Sequence, residues 1–144
     1  MTVAKILKSK GSDTVETIEP TATVLEATQR LADKRFGSLV VSSDGTQALG
    51  ILSERDIVRE IGRRGAAVLS EPVERIMTRK LVTCTREEKA VSVLGTMTAE
   101  RFRHMPVVEH GRLVGIVTLG DVVKYRLDEL AMEKDALEGM IMGF

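Results

Sequence analysis

Apolar residues along the chain follow two rhythms, helical and extended, and the pair of rhythms occurs twice in the same order. Val24, Ala27, Thr28 and Leu31 fall three and four residues apart, one stripe of a helix. Thr23-Val24-Leu25-Glu26 at its start has the form of a capping box, a hydroxyl followed three residues later by a carboxylate. A short extended piece, Val15 to Ile18, precedes this helix. Two short apolar runs read as strands follow it, Ser38 to Ser42 and Ala48 to Leu52, and Asp44-Gly45 between them predicts a hairpin. A second helix is predicted from Asp56 to about Arg63. The order then returns. Leu81 to Cys84 reads as extended, and Val91, Leu94 and Met97, with Val93 beside them, as helical. Met105 to Val108 and Leu113 to Val117 read as strands around His110-Gly111, with a helix from Asp121 onward. Each half therefore predicts β-α-β-β-α.

The halves also overlie residue by residue. At a shift of 66, Leu31 to Phe36 falls on Met97 to Phe102, Leu39-Val40-Val41 on Met105-Pro106-Val107, and Thr17 on Thr83. The hairpin loop is one residue shorter in the second copy, so GILSERD (Gly50 to Asp56) meets GIVTLGD (Gly115 to Asp121) at a shift of 65. A unit of roughly 50 residues leaves too much apolar surface exposed to be stable alone. The expected fold is thus α+β, with two units packed sheet to sheet about a pseudo-two-fold axis and a groove between them. The expected division is 1–66, 67–127 and a helical tail over 128–144. Gly62 to Pro72 reads as a linker, Glu71 to Met77 as a short helix opening the second copy, and Val3 to Leu7 as its counterpart opening the first.

Composition narrows the function classes. Twenty-one basic residues balance 21 acidic ones, so no net field gathers nucleic acid or an anionic membrane. No apolar run approaches the roughly 18–20 residues of a membrane span. MTVAKILKSKGSD lacks a sustained apolar core and a small-residue cleavage site, which predicts a mature N-terminus and a cytoplasmic protein. Cys84, the one cysteine, reads as a small buried hydrophobe. The sequence contains no glycine-rich phosphate loop and no Cys/His metal spacing.

A tandem β-α-β-β-α unit whose copies each carry G-h-x-[ST]-x-x-D before the last helix resembles the CBS domain pair, or Bateman module. MTRKLVT (Met77 to Thr83), RFRHMPVV (Arg101 to Val108) and SERD (Ser53 to Asp56) sharpen the resemblance, which covers nearly the whole chain and points to the small stand-alone bacterial proteins. It implies a sensor that binds adenosine-containing ligands (AMP, ATP, NAD(H) or S-adenosylmethionine) in the clefts between domains. Asp56 and Asp121 fall on the family's ribose-binding position, and Thr17 and Thr83 on positions that meet the adenine. The physics suits the acids: a carboxylate in the first turn of a helix is held ionised by the helix dipole and can accept from two ribose hydroxyls. Ser53 and Thr118 stand where a hydroxyl can meet a phosphate or ribose oxygen. Ser53/Asp56 and Thr118/Asp121 also read as plain helix caps, worth about 0.5–2 kcal/mol each, and capping is compatible with binding.

The copies differ in charge. Arg103 and His104 stand where the first copy has Gly37 and Ser38, and are assigned to a phosphate in the second half-site. Arg55 and Arg59, four apart, are assigned to the first. Val123, Leu127, Leu130, Ala131, Leu137, Met140 and Ile141 form an apolar stripe, expected to pack on the module or across a homodimer. The leading expectation is a non-catalytic adenine-nucleotide sensor, homodimeric and cytoplasmic, without nucleic-acid or membrane partners. The alternatives are an interaction module with vestigial ligand sites, and an enzyme using Asp121 and His104 as an acid–base pair.

Overall fold

The computed structural model describes residues 1–11 and 15–143, in two units of helix and strand. In the first, β1 (Thr17–Ile18) leads into α2 (Val24–Lys34), which follows the N-terminal helix α1 (Val3–Ser9). The hairpin β2 (Ser38–Val41) and β3 (Gly50–Ser53) follows, then α3 (Glu54–Arg64). β1 pairs with β2 in parallel and β2 with β3 antiparallel. The second unit has α4 (Ala90–Glu100), the antiparallel pair β4 (His104–Glu109) and β5 (Arg112–Thr118), and α5 (Leu119–Met142). Its first strand, expected over Leu81 to Cys84, is reduced to one parallel bridge between Cys84 and Val107. The hydrogen bond survives: Val108 N–H donates to the Cys84 carbonyl at 2.9 Å, as Ser42 N–H donates to Ile18 at 2.9 Å.

Local chemistry sets the element ends. Thr23 accepts from Glu26 N–H at 3.1 Å, but the Glu26 side chain turns to Arg30 instead of back to the cap, so only half of the expected capping box forms. Ser53 and Thr118 form complete capping boxes with Asp56 and Asp121. Arg35 and Arg101 end α2 and α4 in left-handed conformation, at φ 56° and 60°. In the second hairpin, His110 and Gly111 both have positive φ, the backbone that a two-residue turn between twisted strands requires. The stripe of α4 is Ala90, Val93 and Met97, while Val91, expected inside, lies one position off that face and is exposed.

The two cores exchange their leading segments. Val3 and Ile6 of α1 are buried with Met97, Met105 and Val117 of the second unit, whereas Val73, Ile76 and Met77 are buried with Leu31, Leu39 and Leu52 of the first. The expected pairing of Val3 to Leu7 with the first copy is therefore corrected, and the short helix expected over Glu71 to Met77 is a single 3-10 turn, Val73–Arg75. Hydrogen bonds repeat the exchange in register. Val3 N–H donates to Glu88 and Ala90 N–H to Met1; Val73 N–H donates to Ala22 and Val24 N–H to Glu71, all at 2.8–2.9 Å. Such reciprocity is what a two-fold relation between the copies produces. β2 is buried at all four positions, so both of its faces are covered.

The expected C-terminal extension is the outer part of α5, which runs unbroken for 24 residues. Phe144 lies outside the described residues.

Candidate functional sites: two reciprocal clefts

Each capping box opens onto a cleft whose far wall comes from the other copy. In the first cleft, of about 280 Å³, Ser53, Asp56 and Arg59 face Lys80, Leu81, Val82 and the run Arg101 to His104. In the second, of about 340 Å³, Gly115, Ile116 and Thr118 face Leu7, Lys10, Val15, Glu16 and the run Arg35 to Ser38. Both volumes lie near the lower end of small-molecule sites, about 300–1,000 Å³. Gly37 and His104 border both clefts. A Cβ on Gly37 would stand 2.9 Å from His104 Nε2, so the missing side chain is what lets the imidazole occupy the wall between them.

The acids are set by their caps and by one cation each. Asp56 Oδ2 accepts from Ser53 N–H at 2.9 Å and from Ser53 Oγ at 3.1 Å, and its Oδ1 accepts from Arg59 at 2.8 Å. Asp121 Oδ2 accepts from Thr118 N–H at 3.0 Å and from Lys10 Nζ at 2.8 Å. Lys10 also donates to the Ile116 carbonyl at 3.0 Å, which fixes it across the mouth of the second cleft. Partial burial works against the charge on Asp121, but the Lys10 and Thr118 hydrogen bonds outweigh it and hold the carboxyl below its ordinary range. Burial pushes His104 below its ordinary 6.5, against the pull of Glu54 and with the push of Arg103 and Lys10. Its imidazole is therefore neutral at pH 7. Cys84 lies away from both clefts and is buried as expected, its thiol pushed up to about 12 by burial with Glu88 and Glu109 adding.

Residues 11–63 and 73–128 match the CBS domain family. The chain belongs to that family. A CBS-domain containing protein of Agrobacterium tumefaciens is 38% identical, with a TM-score of 0.83 over 88% of this chain and 99% of its own. The CBS domain pair of protein MJ0100, solved in complex with 5′-methylthioadenosine and S-adenosyl-L-methionine, is 25% identical, with a TM-score of 0.78 over 90% and 98%. A CBS domain protein from Pyrobaculum aerophilum complexed with AMP is 25% identical, with a TM-score of 0.72 over 84% and 89%.

The CBS arrangement brings Ser53, Arg55, Asp56, Arg103 and His104 together in the first cleft, and Thr118 with His104 in the second, where Asp121 lies under Lys10. Arg103 was assigned to the second copy's own half-site. It stands instead across from Asp56, because the start of β4 faces the end of β3 in the other CBS unit. Thr17 lies in a separate open groove with Glu26, Arg30 and Asp44, and Thr83 is exposed and lines neither cleft. The neighbours two and one positions earlier take their place: Val15 and Glu16 in one cleft, Leu81 and Val82 in the other.

Sequence reasoning missed Lys10, Lys80, Arg101 and Arg35. A signal for the lysines exists, since Val3, Ile6 and Lys10 overlie Val73, Ile76 and Lys80, but at a shift of 70 that the main repeat hides. The arginines sit at the left-handed helix ends, which turn Phe36 and Phe102 toward the clefts.

Among the described residues no helix is long and apolar enough to cross a membrane.

Proposed function

We propose that this CBS pair is a non-catalytic regulatory module that binds an adenosine-containing ligand of the AMP, ATP or NAD(H) class in its two clefts. The observation that carries the reading is the reciprocal placement of two hydroxyl–carboxylate capping boxes, Ser53/Asp56 and Thr118/Asp121, each at the mouth of a cleft closed by the other unit. A ribose hydroxyl exchanging with Arg59 or Lys10 meets a carboxylate already oriented by its cap. The AMP complex of the Pyrobaculum protein and the methylthioadenosine and S-adenosylmethionine complex of the MJ0100 pair support an adenosyl ligand. Occupancy of a cleft built from both units is sensed as a change in the angle between them. A thermal-shift panel of AMP, ADP, ATP, NAD, NADH and S-adenosylmethionine tests the reading, since a ligand at 100 times its Kd stabilises by about 2.7 kcal/mol. A panel without a single shift rejects it.

The same proposal places the protein in the cytoplasm as a homodimer. Leu127, Leu130, Leu137 and Ile141 leave an apolar stripe exposed on α5, which supports association. It equally favours the second reading, a protein-interaction module with vestigial ligand sites, which the failed panel would leave standing. Prolonged incubation with AMP, ATP or NADH separates either from an enzyme, because a binding module returns its ligand unchanged.

A further inference from the structure

The chain carries no net charge, yet its two clefts are charged very differently. Five cationic side chains line the first: Arg55 and Arg59 from α3, Lys80 from the segment after the 3-10 turn, and Arg101 and Arg103 from the α4–β4 connection. Among the described residues Glu54 and Asp56 are the only carboxylates lining it, which leaves three net positive charges. Arg59 is already committed to Asp56 at 2.8 Å. Among the described residues, none of Arg55, Lys80, Arg101 and Arg103 has a carboxylate within 4.0 Å, whereas Arg30, Lys34, Arg59 and Arg64 each have one. Four cations without a carboxylate partner among the described residues, from three separate segments, thus converge on one concave surface of a molecule with no net charge. Their mutual repulsion is relieved by a ligand that brings several negative charges.

The second cleft has the opposite character. Its cations are Lys10 and Arg35; Lys10 is held by Asp121, and Glu16 stands in the same wall as Arg35. The remaining lining is largely apolar, with Leu7, Val15, Phe36 and Ile116. The copies differ at the decisive place because Arg103 and His104 of the second correspond to Gly37 and Ser38 of the first, and the exchange of walls puts the cation Arg103, with the neutral His104 beside it, in the cleft of Asp56.

We infer that the clefts divide the ligand chemistry: the first takes the phosphate chain of a nucleoside di- or triphosphate, and the second holds the nucleoside part of its ligand without engaging a phosphate. The inference rests on the adenosyl reading for the nucleoside part only; the anionic part stands on the arginines and Lys80. In the first cleft Arg103 and Arg101 supply bidentate donors to phosphoryl oxygens, and Lys80 and Arg55 add charge from either side.

Calorimetric titration of the full chain with adenosine, AMP, ADP, ATP and inorganic tripolyphosphate tests this. The expected result is one site whose affinity rises with phosphate number, ATP binding at least tenfold tighter than adenosine, and a second site indifferent to it. Raising NaCl weakens ATP several-fold and leaves adenosine unchanged. Lys80→Ala with Arg103→Ala weakens ATP and tripolyphosphate at least tenfold and adenosine less than twofold, while Arg103→Lys alone, which keeps the charge and loses the bidentate fork, gives an intermediate loss. Should the double variant melt at lower temperature than wild type, Arg103→Gln with the salt series carries the same comparison. Adenosine and ATP of equal affinity at both sites, or ATP binding that survives loss of Lys80 and Arg103, overturns the inference while keeping the adenosyl reading. Tripolyphosphate binding that needs Arg103, with every adenine ligand inert, does the reverse.

Discussion

Lys10 and Asp121 lie 111 positions apart in the chain and meet at 2.8 Å across the mouth of the second cleft. The contact exists because α1 packs on the second unit and delivers Lys10 to the first turn of α5. Replacing the cation tests what it holds. With both side chains partly exposed, Lys10→Met should cost about 0.2–1 kcal/mol of stability. The Asp121 carboxyl should titrate higher than in wild type, read by carbon NMR of the side chain. The sign follows from a carboxyl held below its ordinary 3.8: the stability it adds is present above that value and fades as pH falls through the lower folded value. The gap between wild type and variant should therefore close in acid. An unchanged Asp121 titration would mean that the lysine contributes nothing to the carboxylate.

The two acids should differ in what their removal costs. Asp121→Ala is expected to weaken ligand at the second cleft by roughly 1.5–3 kcal/mol, the range for hydrogen bonds to a charged group. Its loss of fold stability should be cap-sized, about 0.5–2 kcal/mol. Asp56 is 6% exposed and holds Ser53 and Arg59 together, so Asp56→Ala should lose more stability than Asp121→Ala in parallel denaturant melts. Unchanged affinity in a folded Asp121→Ala protein would reduce that residue to a helix cap.

What was legible in the chain was most of what the repeat carries, the first strands and their threonines excepted. The pairing of Leu39-Val40-Val41 with Met105-Pro106-Val107, and of Ser53/Asp56 with Thr118/Asp121, follows from matched periods and predicts the strands, the last helices and their capping boxes. Exchange between copies was not legible, because periodicity states which face of a segment is apolar and not which core receives it. Val3 and Ile6 read as well against one unit as the other. Arg103 went to the wrong acid for the same reason, since a two-fold relation turns neighbours in a copy into opposite walls of different clefts. Thr17 failed because the chain lines the cleft just before the strand begins, at Val15 and Glu16, and Thr17 itself borders the separate groove of Glu26 and Arg30.

His104 makes stability depend on pH. Its folded pKa lies below 6.5 chiefly through burial; Glu54 and Asp121 oppose the shift, and Arg103 and Lys10 reinforce it. Below 6.5 the unfolded chain takes up a proton that the folded site resists, so stability is full above that value and is lost as pH falls toward the folded pKa. Denaturant midpoints measured from pH 8 to pH 5 should fall in wild type and fall less in His104→Gln. Parallel curves for the two proteins would assign the acid sensitivity to other groups.

A single methyl group at Gly37 reaches both clefts. It borders each of them, and an added Cβ would lie 2.9 Å from His104 Nε2 and 3.1 Å from Cε1, too close for the ring to stay. The imidazole is the end of a side chain and can rotate away. Alanine also lowers the unfolded chain's entropy, worth about 0.4–1 kcal/mol where the backbone conformation suits it. Gly37→Ala should therefore fold with stability within about 1 kcal/mol of wild type, yet lose affinity in both clefts, because the displaced ring enters the space they share. A two-site titration should show at least a threefold loss at each site, in contrast to Asp121→Ala, which acts on one. Removing the ring as well, in Gly37→Ala with His104→Ala, should restore the second cleft, where the imidazole is only wall. A loss confined to one cleft, or one that persists in the double variant, would show that Gly37 acts through the backbone, where its carbonyl accepts from Glu54 N–H at 3.0 Å.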